Sequence, residues 1–292
     1  MQETAQTTLA PPVRWSSDIR HQSLCKYFIN TGQCPNAPPC RFSHPPIADL
    51  PRLRADWVKL RIAQRRLKSH RPDDPTPPDL KYNHSGRAHV FAKWIANTFP
   101  HAKHVIDVAG GKGLVGLLVQ RNSMLSPDGP TAIPKVTATL VDPRPRGMSN
   151  QMRRALDTTK ELNEHIQEWF TDPPTYRVLE LLRKEGTVVV GMHPDQATEA
   201  IVDVAFRFGL PWAVVPCCVF PGLHPERIID GELVTSTEGL VEWLKRKRVG
   251  EVREGYLGFE GRNRVVYWEG PTGTKQESDV IPKNYLNCCL VE

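Results

Sequence analysis

Hydrophobic positions in this chain follow two periodicities that alternate along most of its length. Largely apolar runs that begin at His104, Val136, Thr187 and Trp212 are typical of strands buried on both faces of a parallel sheet. Apolar residues at helical spacing predict amphipathic helices over residues 49–68, 86–99, 149–170, 197–208 and 238–248. Strands that alternate with helices predict an α/β fold built on a parallel sheet.

A different pattern marks the last part of this sheet. Residues 254–260 and 264–269 flank a Gly261-Arg262-Asn263 turn and predict an antiparallel β-hairpin. Dinucleotide-binding dehydrogenases more often continue their sheets in parallel. We therefore expect a Rossmann-like sheet that ends in an antiparallel hairpin.

A glycine-rich loop follows the first predicted strand. Gly110-Gly111-Lys112-Gly113 comes directly after the apolar run, and glycine allows the backbone to approach a ligand closely. This predicts a nucleotide-type cofactor loop at the point where the strand turns into a helix. Gly111-x-Gly113-x-x-Gly116 also satisfies the dinucleotide fingerprint, so an NAD(P)-dependent oxidoreductase stays open as an alternative.

Two acidic residues favour another cofactor. Asp107 lies at the end of the first strand, where a carboxylate repels a pyrophosphate but can orient the cationic, phosphate-free S-adenosylmethionine. Asp142 ends the second strand, a position from which a carboxylate accepts hydrogen bonds from ribose hydroxyls. The frame D-x-x-x-G-x-G resembles motif I of class I methyltransferases, with Ala109 where that family usually has its first glycine. The resemblance implies that S-adenosylmethionine is bound by Asp107, Ala109, Gly111, Gly113 and Asp142.

Four candidate metal ligands lie near the N-terminus with the spacing C-x8-C-x5-C-x3-H. They are Cys25, Cys34, Cys40 and His44. Three thiolates and one imidazole form the closed tetrahedral set of a structural zinc site, which allows short loops without a core of their own to fold. The segment resembles the CCCH zinc-finger family, including Phe28, Gly32 and Phe42 at its aromatic and glycine positions. That resemblance implies stacking of exposed aromatic rings on single-stranded RNA bases, and the alternative is that the rings only cover the metal.

Basic residues are concentrated in the first third of the chain. Residues 1–103 carry 16 Lys and Arg against 7 Asp and Glu, whereas the rest carries 22 against 25. The helix predicted over residues 49–68 is both amphipathic and basic, with Arg54, Arg61, Arg65 and Arg66 away from its apolar face. The pattern favours a first part that binds RNA and a second part that performs chemistry, although the helix could equally serve only for packing.

The turns after the last two parallel strands carry the candidate catalytic groups. His193-Pro194-Asp195 and Pro216-Cys217-Cys218 follow strands at the sheet edge where α/β proteins place their chemistry. With motif I, they resemble a methyltransferase family that includes the zinc-binding tRNA 2′-O-methyltransferase, whose H-x-C-G-D is here His193-Pro194-Asp195. Methyl transfer to a protonated nucleophile needs a base, for which Asp195 or His193 is the candidate. Cys217 as a nucleophile is the less favoured alternative, because buried cysteines after strands mostly pack.

These patterns divide the chain into a disordered tail (1–19), a zinc finger (20–48), a basic helix with a proline-rich linker (49–84) and a methyltransferase-like domain (85–292). Seven cysteines with two adjacent pairs fit a reducing compartment, and no run reaches the ~20 apolar residues of a membrane span. We predict an intracellular protein of nucleus or cytoplasm without a membrane partner. The main hypothesis is a zinc-binding methyltransferase of tRNA or another structured RNA; the rival is an RNA-binding protein whose methyltransferase-like domain is not catalytic. The sequence indicates neither the acceptor atom nor the oligomeric state.

Overall fold

The structure, a computed structural model, describes residues 24–36, 39–126, 129–130, 135–144, 146–159 and 162–271. The predicted tail and the Cys288-Cys289 pair lie outside the described residues. The chain divides into two compact units, Met1–Lys68 and Ser69–Glu292. Within the described ranges, no helix combines the length and the apolar character needed to cross a membrane.

Among the described residues of the first unit, the α-helices are α1 (Lys26–Thr31) and α2 (Leu50–Ser69, which ends at the unit boundary). The short α1 ends at Gly32, whose φ of 73° lies in the left-handed region and whose N–H bonds to the Phe28 carbonyl. Helix α2 confirms the predicted basic helix. Its predicted apolar face is used unevenly, because Leu53 is buried whereas Leu67 is 69% exposed.

The second unit is built on one seven-stranded sheet. Its strands are β1 (His104–Val108), β2 (Thr137–Val141), β3 (Glu164–Ile166), β4 (Thr187–Met192), β5 (Trp212–Val215), β6 (Arg253–Tyr256) and β7 (Arg264–Trp268). The order across the sheet is β6-β7-β5-β4-β1-β2-β3. Strands β1 to β5 are parallel, and β7 runs antiparallel to both of its neighbours. The predicted Rossmann-like sheet with an antiparallel hairpin is confirmed.

In the part of the domain that the structure describes, six α-helices cover the two faces of this sheet. They are α3 (Arg87–Thr98), α4 (Leu114–Met124), α5 (Asn150–Thr159), α6 (Tyr176–Leu182), α7 (Thr198–Arg207) and α8 (Thr237–Arg246). Alternate strand residues face opposite cores, so that Val105 packs with α3 and α4 whereas Ile106 packs with α6, α7 and α8. Both side chains are 0% exposed, as expected of strands covered on both faces.

One predicted helix is wrong in its second half. The helical spacing over residues 149–170 continues only through α5, and the chain then forms the short edge strand β3, which pairs with β2. Ile166 is buried against the sheet, but Trp169 is 66% exposed rather than part of a core face. A three-residue strand is too short to show the alternation of apolar and polar residues that marks a strand. The helical spacing of apolar residues that continued across it was accidental.

The proline-rich segment over residues 71–79 lies within the second unit. The carboxylate of Asp74 is fully buried, where it accepts hydrogen bonds from Lys81 Nζ at 2.5 Å and Asn263 Nδ2 at 2.9 Å. The unit boundary precedes this segment. The segment therefore packs onto the sheet domain, in contrast to the extended connector that its composition favours.

Candidate cofactor site and zinc centre

The glycine loop turns sharply between β1 and α4. Ala109, Gly111 and Gly113 all have positive φ, at 52°, 58° and 72°. A Cβ atom on Gly110 would lie 2.6 Å from the Asp107 carboxylate, so no larger residue fits there. A Cβ atom on Gly111 would meet no atom within 4 Å, which means that this side of the loop faces open space.

Asp107 lies behind the loop and lines neither cavity beside it. Its side chain is 0% exposed, Oδ2 accepts the Gly116 N–H at 3.1 Å, and Oδ1 has no hydrogen-bond partner among the described residues. Burial raises the pKa of this carboxyl group to about 7, against the lowering effects of the Gly116 N–H and the charge of Arg146. Direct cofactor binding by Asp107 stays a prediction. In the structure, the carboxyl group supports the loop through its hydrogen bond with the Gly116 N–H.

Asp142 faces the open side of the loop. Its Oδ2 accepts the Gly111 N–H at 2.8 Å and its Oδ1 accepts the Arg144 N–H at 2.9 Å, with the Arg144 guanidinium also within 3.4 Å. Burial raises the pKa of Asp142, but these hydrogen bonds and the positive charge outweigh it and lower the pKa overall. The carboxylate is therefore charged and held against the loop backbone.

Two cavities flank the loop and share Ala109. The first, of about 280 Å³, is lined among others by Asp142, Trp169, Phe170, Asp195 and Phe220. The second, of about 380 Å³, is lined among others by Ser85, Arg87, Gly111, Gln151 and His193. An elongated ligand with an aromatic end and a charged end would cross the loop near Ala109 and occupy both.

Most of these wall residues carry no sequence signal. Arg87 and Gln151 are ordinary helix residues in the sequence. Trp169 and Phe170 become recognisable only once β3 is placed, because they then follow directly after a strand at the ligand-binding edge of the sheet.

The structure separates the two candidate bases, because His193 lines the second cavity and Asp195 the first. His193 Nε2 lies 2.9 Å from the Arg262 carbonyl oxygen, which can only accept, so Nε2 carries the proton and Nδ1 keeps a lone pair. Burial lowers the pKa of His193. The imidazole is therefore neutral at neutral pH and able to accept a proton.

Cys217 does not have the properties of a nucleophile. Its thiol is 9% exposed and donates a hydrogen bond to Asp195 Oδ1 at 2.9 Å. Burial, followed by the contact with the Asp195 carboxylate, raises the pKa of this thiol strongly. A thiol that remains protonated is a poor nucleophile, which removes the main argument for cysteine-based catalysis.

Arg144 and Arg146, the two arginines after β2, are both engaged within the domain. Arg144 pairs with Asp142, although 74% of its side chain is exposed. Arg146 is half-buried and donates to the carbonyl oxygens of Asn163 at 2.9 Å and Glu164 at 3.3 Å. Arg146 thus ties the segment after β2 to β3, and the Arg144 guanidinium is the more accessible of the two to an incoming ligand.

The first unit brings the four predicted metal ligands together. One ligand atom each from Cys25, Cys34, Cys40 and His44 lies within 4.8 Å of all the others. The Sγ atoms of Cys25 and Cys34 are 3.6 Å apart, near the roughly 3.8 Å expected of two sulfurs around tetrahedral zinc. His44 Nε2 is buried and has no hydrogen-bond partner within the described ranges, as a metal-ligating nitrogen requires. The donor set therefore fits zinc.

The aromatic residues of the finger have different roles. Phe28 stacks on the His44 ring with centroids 4.4 Å apart, so it covers a ligand. Tyr27 and Phe42 are 42% and 39% exposed. The backbone N–H of Phe28 is the main cause that lowers the pKa of Cys25 to about 6, which favours the thiolate that a metal needs.

No protein-family model and no curated protein matches the sequence. Among solved structures, the chain is similar to an O-methyltransferase family protein from Burkholderia thailandensis, with 17% identity and a TM-score of 0.37 over 64% of this chain and 57% of that one. It is similar to the S-adenosylmethionine-dependent methyltransferase SibL in its apo form, with 14% identity and a TM-score of 0.40 over 64% and 56%. The N-terminal domain of EvdMO1 with SAH bound is similar at 12% identity and a TM-score of 0.38, over 73% of this chain and 97% of that one. The chain thus spans little more than half the length of the first two structures.

Proposed function

We propose that this protein is a zinc-containing, S-adenosylmethionine-dependent methyltransferase that acts on RNA. The observation that carries the proposal is the pair of cavities around the glycine loop, with the charged Asp142 carboxylate on the open side. They lie at the carboxyl ends of β1, β2 and β4, where open α/β sheets bind their ligands. When bound, the cofactor supplies an electrophilic methyl group on a positively charged sulfur.

The walls of the two cavities match the parts of such a cofactor. Asp142 offers carboxylate lone pairs to the two ribose hydroxyls, after the exposed Arg144 guanidinium has moved aside. Trp169 and Phe170 supply aromatic faces for the adenine ring. In the second cavity, Arg87 offers a guanidinium to the methionine carboxylate.

His193 is the favoured base. The Arg262 carbonyl fixes the tautomer in which Nδ1 accepts, and burial keeps the ring neutral. The imidazole can therefore remove the proton of a hydroxyl or amine as that atom attacks the methyl group. Asp195 is the alternative base on the side of the first cavity.

The first unit supports RNA as the substrate class. It carries 11 Lys and Arg against 4 Asp and Glu. A cleft of about 370 Å³ between the finger and α2 is lined by three aromatic and three basic side chains, and none of its described lining residues is acidic. These six are Tyr27, Phe42, Trp57, Lys26, Arg41 and Arg61. Rings that stack on bases beside cations that bind phosphates are the surface that single-stranded nucleic acid requires.

Titration of the full chain with S-adenosylhomocysteine tests the cofactor. Wild-type protein should bind it, and Asp142→Asn should bind it more weakly by roughly 1–3 kcal/mol, because two charge-assisted hydrogen bonds are lost. The exposed Glu232→Gln removes the same charge elsewhere and should bind as the wild type does. Binding of NADH in place of S-adenosylhomocysteine would refute the proposal and restore the dehydrogenase interpretation.

A methyl-transfer assay distinguishes an enzyme from a non-catalytic RNA-binding protein. Incubation of the protein with total RNA and S-adenosylmethionine labelled in the methyl group should transfer label to RNA. A protein that binds S-adenosylhomocysteine and RNA but transfers no label to any RNA fraction would support the non-catalytic alternative.

A further inference from the structure

Three side chains of types that can ligate a metal ion converge on a second place in the structure, far from the Cys3His set in sequence. They are Asp195, Cys217 and Cys218, and one ligand atom from each lies within 4.8 Å of the other two. The Cys217 Sγ atom is 2.9 Å from Asp195 Oδ1 and 3.6 Å from Cys218 Sγ. Adjacent cysteines that point their sulfur atoms to one carboxylate form a compact donor set.

The sheet itself brings these residues together. Strands β4 and β5 are parallel neighbours with Met192 opposite Val215, so the turns that follow them emerge side by side. The His193 N–H bonds to the Val215 carbonyl at 3.0 Å and extends this pairing by one residue. Thr198, which is buried, donates to the Asp195 carbonyl at 2.8 Å and fixes the carboxylate end of the cluster.

We propose that Asp195, Cys217 and Cys218 form a second metal site, for a divalent cation of the zinc class. The sulfur–sulfur distance of 3.6 Å is close to the roughly 3.8 Å of two thiolates on one tetrahedral zinc ion. Two thiolates and one carboxylate select a cation that accepts sulfur over the oxygen-preferring Mg²⁺ and Ca²⁺. Binding releases two thiol protons to solvent, one from each cysteine, and leaves the charge of the carboxylate unchanged.

Three protein ligands leave one tetrahedral position open, which is the pattern of catalytic rather than structural zinc. Asp195 also lines the first cavity, so an ion that it binds lies at the wall of that cavity. A hydroxyl group that enters the open position becomes a stronger acid, and hence a better oxygen nucleophile after it loses its proton. This role for the ion rests on the proposed methyltransferase function, whereas the metal site itself does not.

Another group of possible metal ligands, without cysteine, shows what distinguishes a metal site from an ion-pair network. Glu199, His224 and Glu226 also lie close together. Glu199, however, already accepts from Arg227 Nε at 2.9 Å, Lys247 Nζ at 2.8 Å and Trp243 Nε1 at 3.0 Å. Protein cations neutralise this carboxylate, so His224→Gln serves as the control that should lose no metal.

Metal analysis of the full chain after dialysis against a weak chelator tests the proposal. Wild type should retain about two zinc ions per chain, one of them in the Cys3His set. The double variant Cys217→Ser/Cys218→Ser should lose about one of the two, Cys34→Ser should lose the other, and His224→Gln should keep both. Cobalt(II) substitution gives a second readout, because the near-ultraviolet absorbance from thiolate ligands should fall in the double variant to that of the finger alone.

Several results would overturn the proposal. One is a wild type with a single zinc ion that Cys34→Ser removes completely. Another is a metal-free chain in which the proteolytic peptide that contains Cys217 and Cys218 lacks two hydrogens by mass under non-reducing conditions, which would indicate a disulfide between these two cysteines. If the double variant does not fold, two other measurements still test the proposal. One is the number of zinc ions bound to the wild type. The other is Asp195→Asn, a substitution at an exposed residue, which should weaken the retention of only one ion. None of these readouts involves S-adenosylhomocysteine, so failure of the metal site and failure of the cofactor proposal are separate results.

Discussion

At the scale of single residues, the least expected side chain is Asp107. The carboxyl group is enclosed between the glycine loop and the start of α4, with its Oδ1 lacking a hydrogen-bond partner among the described residues. Its pKa of about 7 lies well above that of an unfolded aspartate, because burial disfavours the charged form. The folded protein therefore binds this proton more tightly than the unfolded chain does.

This pKa predicts a pH dependence of stability. Below about pH 4 the group is neutral in both states, and the folded state loses stability as pH rises through the folded pKa of about 7. The Asn side chain of Asp107→Asn cannot ionise. Between pH 4 and 8, the free energy of unfolding of the wild type should therefore fall by up to roughly 3–4 kcal/mol relative to that of the variant. Urea unfolding of both proteins across this range measures the difference.

Two further measurements complete this test. Glu232→Gln should keep the pH dependence of the wild type. If the stability of Asp107→Asn has the same pH dependence as that of the wild type, the Asp107 carboxyl is charged in the folded wild type. A bound partner must then stabilise this buried charge. A large loss of S-adenosylhomocysteine affinity in Asp107→Asn would support direct contact between this side chain and the cofactor.

His193 gives a prediction at the same scale. Glutamine at this position can still donate to the Arg262 carbonyl but cannot act as a base, so His193→Gln should lower kcat by about 10²-fold or more. The wild-type rate should rise with pH through the lowered pKa of His193 and then level off, and the variant should lack this rise. If His193→Gln keeps the rise of the rate with pH, Asp195 becomes the favoured base. Asp195→Asn, which should then lose the rise, tests this assignment.

At the scale of secondary structure elements, the strands that sequence alone located are those with two buried faces. β1 and β4 carry five or six largely apolar residues in succession. Such strands are recognised by the length of the apolar run, because no alternation of apolar and polar residues is expected when both faces are buried. The edge strand β3 has three residues, with Glu164 exposed, and no local pattern distinguishes it from a helix turn. Because β3 was missed, the predicted helix placed Trp169 on a core face, whereas this exposed side chain lines the first cavity.

The same limit applies to the candidate site. Asp142, Gly111 and His193 were predictable, because each follows a recognisable strand. The separation of His193 and Asp195 into two cavities was not, since it depends on positive φ values of 57° and 50° at two residues that sequence statistics rarely place there. The convergence of Cys217 and Cys218 on Asp195 likewise requires the register between β4 and β5.

Helix α2 yields a prediction about how RNA is bound. The Arg61 guanidinium lies over the Trp57 ring at 4.9 Å, and both line the cleft. Arg61→Gln should weaken binding of a single-stranded RNA oligonucleotide and flatten the log–log salt slope by about 0.7, because one phosphate contact is lost. Trp57→Leu should instead cost on the order of 1–3 kcal/mol without a change of slope, because stacking carries no charge.

Lys59→Gln is the matched control, since it removes one charge from the same helix outside the residues that line the cleft. All three variants should keep the zinc content of the wild type, which verifies that the finger is folded. Equal effects of Arg61→Gln and Lys59→Gln would mean that α2 attracts RNA only through its net charge.

At the scale of the whole molecule, the two compact units predict separable losses. Cys34→Ser removes one of four ligands from a segment that cannot form a core alone, so the finger should unfold and RNA affinity should fall. The affinity for S-adenosylhomocysteine should remain that of the wild type, because every residue that lines the two cavities belongs to the second unit. Calorimetric titration with each ligand measures both effects, and a loss of cofactor binding in this variant would show that the units depend on each other.

The position of β7 has a consequence for synthesis on the ribosome. This strand comes last of the seven in the chain, yet it lies inside the sheet, between β5 and β6. Until residues 264–268 have left the exit tunnel, β5 presents the unpaired edge of Trp212–Val215 and β6 has no partner strand. The nascent chain therefore carries an apolar, aggregation-prone edge from the emergence of β5 until the emergence of β7, and a premature stop between residues 216 and 263 would make that edge permanent.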